Sequence, residues 1–270
     1  MSQIVGRTHP GTRRETNQDS MGWQDAAQLA FVADGMGGYT GGEVASGLVK
    51  GALLDSGSQD LAAAVMNAHA KILAAAEAHP EYAGMGSTVV AVQIVERIGK
   101  VVWVGDSRAY LWRRGSLQPL TRDHSVGEVL RDAENLSETQ LRSHPLRHKV
   151  IQSLGKEKPV PSVCETPLRR GDWILLCSDG LSGELRDNEI ASVLGTQPSL
   201  EAAADALING ALEKGGSDNI TVVLVEYTGP NSIDFGFLRN QRVVLWLSIL
   251  GGVVLAVTVA SVGWWLSSRK

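Results

Sequence analysis

The chain has 270 residues, a formal net charge of −4, 43% hydrophobic residues and 20% charged residues. That length suits one good-sized core, or one domain with an appendage; the composition excludes a disordered chain, and the mild acidity leaves no basic footprint for nucleic acid. Two cysteines, Cys164 and Cys177, form no CxxC pair, which excludes a disulfide scaffold or zinc ribbon and fits a reducing compartment, and the N-terminus has no apolar signal segment.

In chain order, the first apolar run is "LAFVAD", ending at Asp34. Glycines crowd the next eight residues, and "GEVASGLVKGALL" reads as a helix. A second, alanine-rich helix is predicted over Asp60–His79, with Asp60 as its N-cap. "STVVAVQIVE" is a strand that turns through "RIGK" into "VVWVGD", which ends at Asp106. "AYLWRRGSLQPL" has the form of a hairpin turning at Gly115. "SETQ", Ser137–Gln140, has capping-box form. "WILLCSD" ends at Asp179; a helix starts at Ser199 and stops at Gly215; "NITVVLVEY" follows directly on Asp218. Several runs are apolar on both faces, so the sheets are expected to be covered on both sides, by another sheet or by helices. The fold class is a layered α+β domain.

The stretch Thr228–Gly236, "TGPNSIDFG", reads as a linker. This divides the chain into a domain over 1–228, a linker over 229–242, an uncharged segment over 243–266 and a short basic tail over 267–270. The uncharged segment would make about 36 Å of helix, enough to cross a bilayer core of roughly 30 Å. Trp246, Trp264 and Trp265 stand near its ends, where interfacial tryptophans belong. Arg239 and Arg242 at one end balance Arg269 and Lys270 at the other, so loop charge does not orient it. Without a signal segment, the domain is expected in the cytoplasm, held at the inner membrane by a single-pass C-terminal transmembrane helix.

Asp19, Asp34, Asp106, Asp123, Asp179 and Asp218 all lie in short polar turns beside apolar strands. Turn chemistry accounts for any one of them. As a set they would repel one another at a shared sheet edge unless a cation sat among them. No soft ligands accompany them, so the ions are expected to be Mg²⁺ or Mn²⁺. Two ions sharing a carboxylate can direct a hydroxide onto a phosphorus, and Arg14, five residues before Asp19, is a candidate for gripping the phosphate.

The pieces "RETNQDS", "VADGMGG", "GSTVV", "VGDSRAYL", "LTRDHS", "HPLRHKVIQSLG", "LCSDGLSG" and "SDNITVVLV" resemble, in order, the motifs of the bacterial metal-dependent protein phosphatases, the type-2C serine/threonine family. The resemblance implies a four-layer α-β-β-α sandwich with a binuclear metal site at one end. It implies hydrolysis of phosphoserine and phosphothreonine in proteins, by in-line attack of a hydroxide bridging two Mn²⁺ or Mg²⁺ ions. Asp34 matches the bridging carboxylate, Gly35 the glycine whose carbonyl binds the second ion, and Asp179 and Asp218 the ligands of the first. Asp123 matches a carboxylate that helps hold a third, weaker ion, Asp19 an acid that orders bound water, and Arg14 the phosphate-binding arginine. Asn219 and Asp106 match motif positions read as supporting. Ser125 to about Arg147 matches a flap beside the site. The resemblance further implies a cognate membrane serine/threonine kinase that shares targets. It departs at Met36, where eukaryotic members often carry a histidine that protonates the leaving group; here a bound water or another group, such as His124, must do so.

Three other readings are weaker. Cys164 begins a loop with C-x₅-R spacing, as in cysteine-dependent phosphatases, but the intervening residues hold no glycine, Pro167 has no N–H to offer a phosphate, and the loop enters a strand at Asp172–Ser178 instead of opening a helix. Gly35, Gly37 and Gly41 form a loose dinucleotide fingerprint, but Asp34 would face the pyrophosphate. A membrane-anchored scaffold without turnover would not need Arg14, Asp34, Asp179 and Asp218 together.

Overall fold

The structure is a computed structural model. It describes residues 2–230 apart from 58–59, 135, 137–139, 141–143, 148 and 157. Most of the expected linker, the transmembrane segment 243–266, the basic tail and most of the "SETQ" capping box lie outside the described residues. Among the described residues no helix is long and apolar enough to cross a membrane.

The elements run β1 (Ser2–His9), β2 (Asp19–Gln24), β3 (Leu29–Met36), α1 (Gly38–Asp55), α2 (Leu61–Ala78), β4 (Gly86–Ser87), β5 (Val89–Val95), β6 (Ile98–Val104), β7 (Arg108–Arg113), β8 (Ser116–Pro119), α3 (Val126–Glu134), β9 (Ser162–Pro167), β10 (Trp173–Cys177), α4 (Asp179–Ser182), α5 (Asp187–Thr196), α6 (Leu200–Lys214) and β11 (Ile220–Tyr227). One sheet has the order β1-β11-β10-β7-β8, the other β2-β3-β5-β6-β9 with β4 attached to β3. Every pairing in these ladders is antiparallel. A dinucleotide-binding unit needs parallel strands joined by a crossover helix, so the glycine fingerprint after Asp34 has no such context.

Side chains alternate across a strand, and here both faces are buried. On β3, Leu29, Phe31 and Ala33 pack with α1 and α2, while Ala30 and Val32 pack between the sheets. On β11, Ile220, Val222 and Leu224 pack under α6, while Val223 and Val225 meet the opposite sheet. Three apolar layers therefore separate helices, sheet, sheet and helices, which explains the continuous apolar runs.

The local signals hold with small shifts. Asp60 caps α2 by accepting from the Ala62 N–H, and Ser199 caps α6 by accepting from the Ala202 N–H. The hairpin turns at Arg114 and Gly115, both at positive φ, as a two-residue turn requires. The "RIGK" turn is shorter than expected, because Ile98 already pairs with Val95 and only Glu96 and Arg97 lie between the strands. β3 runs two residues past Asp34, where Gly35 and Met36 pair with Ser87 and Gly86, and α1 starts within the glycines instead of after them.

At the end of the sandwich where β7 runs out, Asp172 is buried, at 4% side-chain exposure, and accepts two hydrogen bonds from Arg113, at 2.9 and 2.6 Å. Arg113 also donates to the Pro167 carbonyl. Removing the guanidinium would strand a buried carboxylate, at a cost of about 3–5 kcal/mol. Arg113→Met is expected to lower the thermal midpoint by roughly ten degrees; a midpoint within two degrees of wild type, read by circular dichroism, would show that the pair is not holding this end.

Candidate metal centre

The antiparallel registers bring the strand-end acids to one end of the sandwich. Asp19 opens β2 directly opposite Asp34 on β3. Asp179 follows β10 and Asp218 precedes β11, and the pairing of Cys177 with Val222 places both at the same edge. Asp106 lies just past β6. Two close approaches need glycine. A Cβ on Gly35 would run into the Gly42 carbonyl and lie 2.7 Å from the Gln18 carbonyl, and a Cβ on Gly180 would strike the Asn219 carbonyl.

Asp34, Asp106, Asp179, Asp218 and Arg14 line a common open cleft of about 930 Å³. Burial, reinforced by Asp19, Asp179, Asp106 and Asp218, pushes the Asp34 carboxyl well above the usual range. Asp179 is pushed up to about 6 by burial and by Asp218, with a hydrogen bond from Asp34 pulling the other way. Asp19 is pushed up to about 7, chiefly by burial. Its Oδ2 accepts from the hydroxyls of Ser178, at 2.8 Å, and Thr221, at 2.6 Å. Burial and Asp179 raise Asp106 as well. Asp218 is the outermost member and is paired with Arg14, Nη2 to Oδ2 at 2.8 Å.

Among the described residues no three acidic, histidine or cysteine side chains stand close enough together to form a finished ligand set. The chemistry of the site nonetheless fits divalent cations. The donors are all oxygens. Asp19 Oδ1 and Asp179 Oδ1 are buried with no hydrogen-bond partner, and a buried carboxylate oxygen without a partner is costly unless a cation meets it.

Asp123 stands apart from this group. Arg108 holds it bidentately, Nε to Oδ1 at 2.9 Å and Nη2 to Oδ2 at 2.7 Å. The pair lines a neighbouring cleft of about 300 Å³ that shares Asp106 and Asp179 with the first. α3, the described helix of the flap segment, borders that second cleft through Glu128 and Arg131.

His124 is not in the main cleft. Its Nδ1 accepts from the Gly105 N–H, its Nε2 bonds Ser162 Oγ at 3.0 Å, and its ring stacks on Trp103. Both ring nitrogens are engaged, so the imidazole packs a turn. Cys164 lies inside β9, paired with Val101; the sequence placed it in a loop, but extended backbone forms no anion cradle, and burial raises its thiol.

Asn219 does more than its supporting role suggested. Its Oδ1 accepts from the Gln18 N–H at 2.8 Å, and its Nδ2 donates to the carbonyls of Pro10 and Thr16, both at 2.9 Å. It therefore clips the loop bearing Arg14 to the residue after Asp218. Sequence reasoning also missed Arg108, two residues beyond Asp106, and the hydroxyls of Ser178 and Thr221. Each stands beside an acid already singled out, and only the register shows what it touches.

A family model described as protein phosphatase 2C matches residues 5–215. The chain is 36% identical over 251 residues to the serine/threonine protein phosphatase PstP of Mycobacterium tuberculosis, covering 90% of this chain and 47% of that protein; it thus spans about half the length of that relative. It is 35% identical over 237 residues to the serine/threonine phosphatase stp of Listeria welshimeri, covering 82% and 94%. The crystal structure of the catalytic domain of PstP, in complex with two manganese ions, superposes with a TM-score of 0.77 at 34% identity, covering 84% of this chain and 98% of that one.

The raised carboxyls set a pH dependence for the metal-free protein. Acids whose folded pKa lies above the unfolded value stabilise the fold fully at low pH and lose that contribution as pH rises through the folded pKa. From the unfolded value of about 4 and the folded values of about 6 and 7 for Asp179 and Asp19, the EDTA-treated protein is expected to lose thermal stability between about pH 4 and pH 7. Added Mn²⁺ should restore more stability at pH 8 than at pH 5, and Asp34→Asn should flatten the slope. A metal-free midpoint that is flat or rising over this window, with no difference in Asp34→Asn, would contradict the reading.

Proposed function

This chain belongs to the protein phosphatase 2C family, and we propose that it is a metal-dependent phosphatase that hydrolyses phosphoserine and phosphothreonine in proteins. The observation that carries the reading is the gathering of Asp34, Asp106, Asp179 and Asp218 at one cleft with an arginine at its mouth, together with the orphaned carboxylate oxygens of Asp179 and of Asp19, the register partner of Asp34. Asp34, Asp179, Asp218 and the Gly35 carbonyl would hold two Mn²⁺ or Mg²⁺ ions. When bound, such ions activate water for in-line attack and neutralise charge on the phosphoryl oxygens.

The remaining work falls to the protein. Asp19, fixed through Oδ2 by Ser178 and Thr221, presents Oδ1 as an acceptor that orients water. Arg14, 56% exposed in its side chain, offers its guanidinium fork to the phosphate oxygens. Asn219 keeps the Arg14 loop seated while that exchange occurs. Met36 lines the cleft and has no proton to give. With His124 turned into its own packing, water in the open cleft protonates the leaving alkoxide. Asp123 would help hold a third, weaker ion only by giving up Arg108.

The uncharged stretch 243–266 supports a single-pass C-terminal anchor in the cytoplasmic membrane, with the catalytic domain in the cytoplasm. Such an anchor would hold the enzyme beside a membrane serine/threonine kinase that shares its targets and raise their effective concentration.

Full-length protein is expected to hydrolyse p-nitrophenyl phosphate only with Mn²⁺ or Mg²⁺. Asp34→Asn should lose at least about a hundredfold in kcat. Arg14→Ala, which removes a charge-assisted contact to phosphate, should lose about tenfold or more in kcat/KM, mostly through KM. Metal-independent turnover, or full activity in Asp34→Asn, would refute the assignment. For the anchor, the full chain should sediment with membranes through a high-salt wash and a chain ending at residue 230 should not; equal partition of the two would remove the anchor.

A further inference from the structure

The floor of the cleft is acidic, but its rim is not. Arg13 lies beside Arg14 on the β1–β2 loop, and Lys149 and Lys156, in the segment between α3 and β9, line the same cleft. Lys149 is placed by its backbone: its carbonyl accepts from the Val126 N–H at the start of α3, and its neighbour Val150 bridges to Ser125. Lys156 lies over the short strand β4, with its Cε 3.4 Å from where a Cβ on Gly86 would stand, and Gly86 is the partner of Met36. Both lysines are exposed. Among the described residues, Arg13, Lys149 and Lys156 are in no ion pair, whereas Arg14, Arg108 and Arg122 are. Among the described residues that line the cleft, Glu15 is the carboxylate outside the acidic floor.

The inference rests on the phosphatase reading. Two divalent ions on the floor would offset Asp34, Asp179, Asp218 and Asp106, so the field a substrate meets at the mouth is that of the rim cations. A peptide with its phosphate on the floor advances about 3.3–3.6 Å per residue when extended. Residues one or two positions from the phosphoresidue then pass the rim, within reach of long lysine side chains. We infer that Lys149 and Lys156 are specificity-determining residues that select phosphopeptides with carboxylate side chains flanking the phosphoserine or phosphothreonine. Arg13 adds the same charge to the cleft lining. Exposed charge pairs are individually weak and screened by salt, so the selection acts mainly on KM and on encounter.

The test uses full-length protein with Mn²⁺ and four substrates: p-nitrophenyl phosphate, a phosphothreonine peptide flanked by aspartate and glutamate, the same peptide with asparagine and glutamine in their place, and the same peptide flanked by lysine. Wild-type protein should favour the acidic peptide by about fivefold in kcat/KM at low salt, through KM, with the preference fading at 0.5 M NaCl. In the double variant Lys149→Gln/Lys156→Gln the ratio between the peptides should fall towards one. In Lys149→Glu/Lys156→Glu it should invert, with a lysine-flanked peptide becoming the better substrate, an outcome that lost folding cannot mimic. Equal rates on the two peptides in wild type, or a preference untouched by both double variants, would overturn the inference while p-nitrophenyl phosphate turnover still upholds the phosphatase reading. Failure to turn over p-nitrophenyl phosphate would overturn both.

Discussion

The constraint on which this structure turns is the repulsion among carboxylates crowded at one end of a sandwich. Asp34 is half-buried, with Asp19, Asp179, Asp106 and Asp218 acting on it, and each disfavours the charge of the others. Such a cluster is tolerated only if positive charge enters it or protons stay on it. Protons and arginines offset part of this repulsion: Asp34 shares a hydrogen bond with Asp179, Arg14 closes on Asp218, and Arg108 closes on Asp123. Oxygen donors crowded in this way suit hard divalent cations.

The rest of the fold holds this crowding in place. The acids come from strands in both sheets, so no single element can move to relieve the strain. Asp19 and Asp34 are locked face to face by the β2–β3 register, and Asp179 and Asp218 by the β10–β11 register. Ser178 and Thr221 spend their hydroxyls on Asp19. Asn219 uses its oxygen and its nitrogen to bring the β1–β2 loop, about two hundred residues away in sequence, against the start of β11. Arg14 is therefore positioned by backbone contacts that do not depend on its pairing with Asp218, and it can release that carboxylate without losing its place.

What could be read from the sequence follows from burial. β3, β5, β6, β10 and β11 are covered on both faces, and their residues spell continuous apolar runs. β1, β2 and β9 escaped notice because they are edge strands with half-exposed faces; "SQIVGRTH" and "DSMGWQ" alternate too weakly to stand out. Cys164 looked like part of a loop for the same reason. The acids were legible as a set because strand ends share edges. Their pairings were not: nothing in "VGDSR" and "TRDHS" says that Arg108 reaches fifteen residues on to take both oxygens of Asp123, and nothing in "DHS" says that the histidine turns away onto Trp103. Those facts belong to register and rotamer, which one-dimensional patterns do not carry.

Met36 shows how such a difference propagates into chemistry. A histidine at that position would sit at the mouth of the cleft with a proton at hand for the leaving alkoxide. Methionine there leaves a side chain with no proton to give. No histidine stands among the described residues that line the cleft, and its floor carboxyls would give up any proton to entering cations. The cleft is also wide and open, so water reaches the leaving oxygen from the solvent side. A site built this way does not depend on one side-chain acid, and its pH profile on the acidic limb is set by deprotonation of the floor. The burden of selectivity then moves outward, from the reacting centre to the rim where the peptide chain lies.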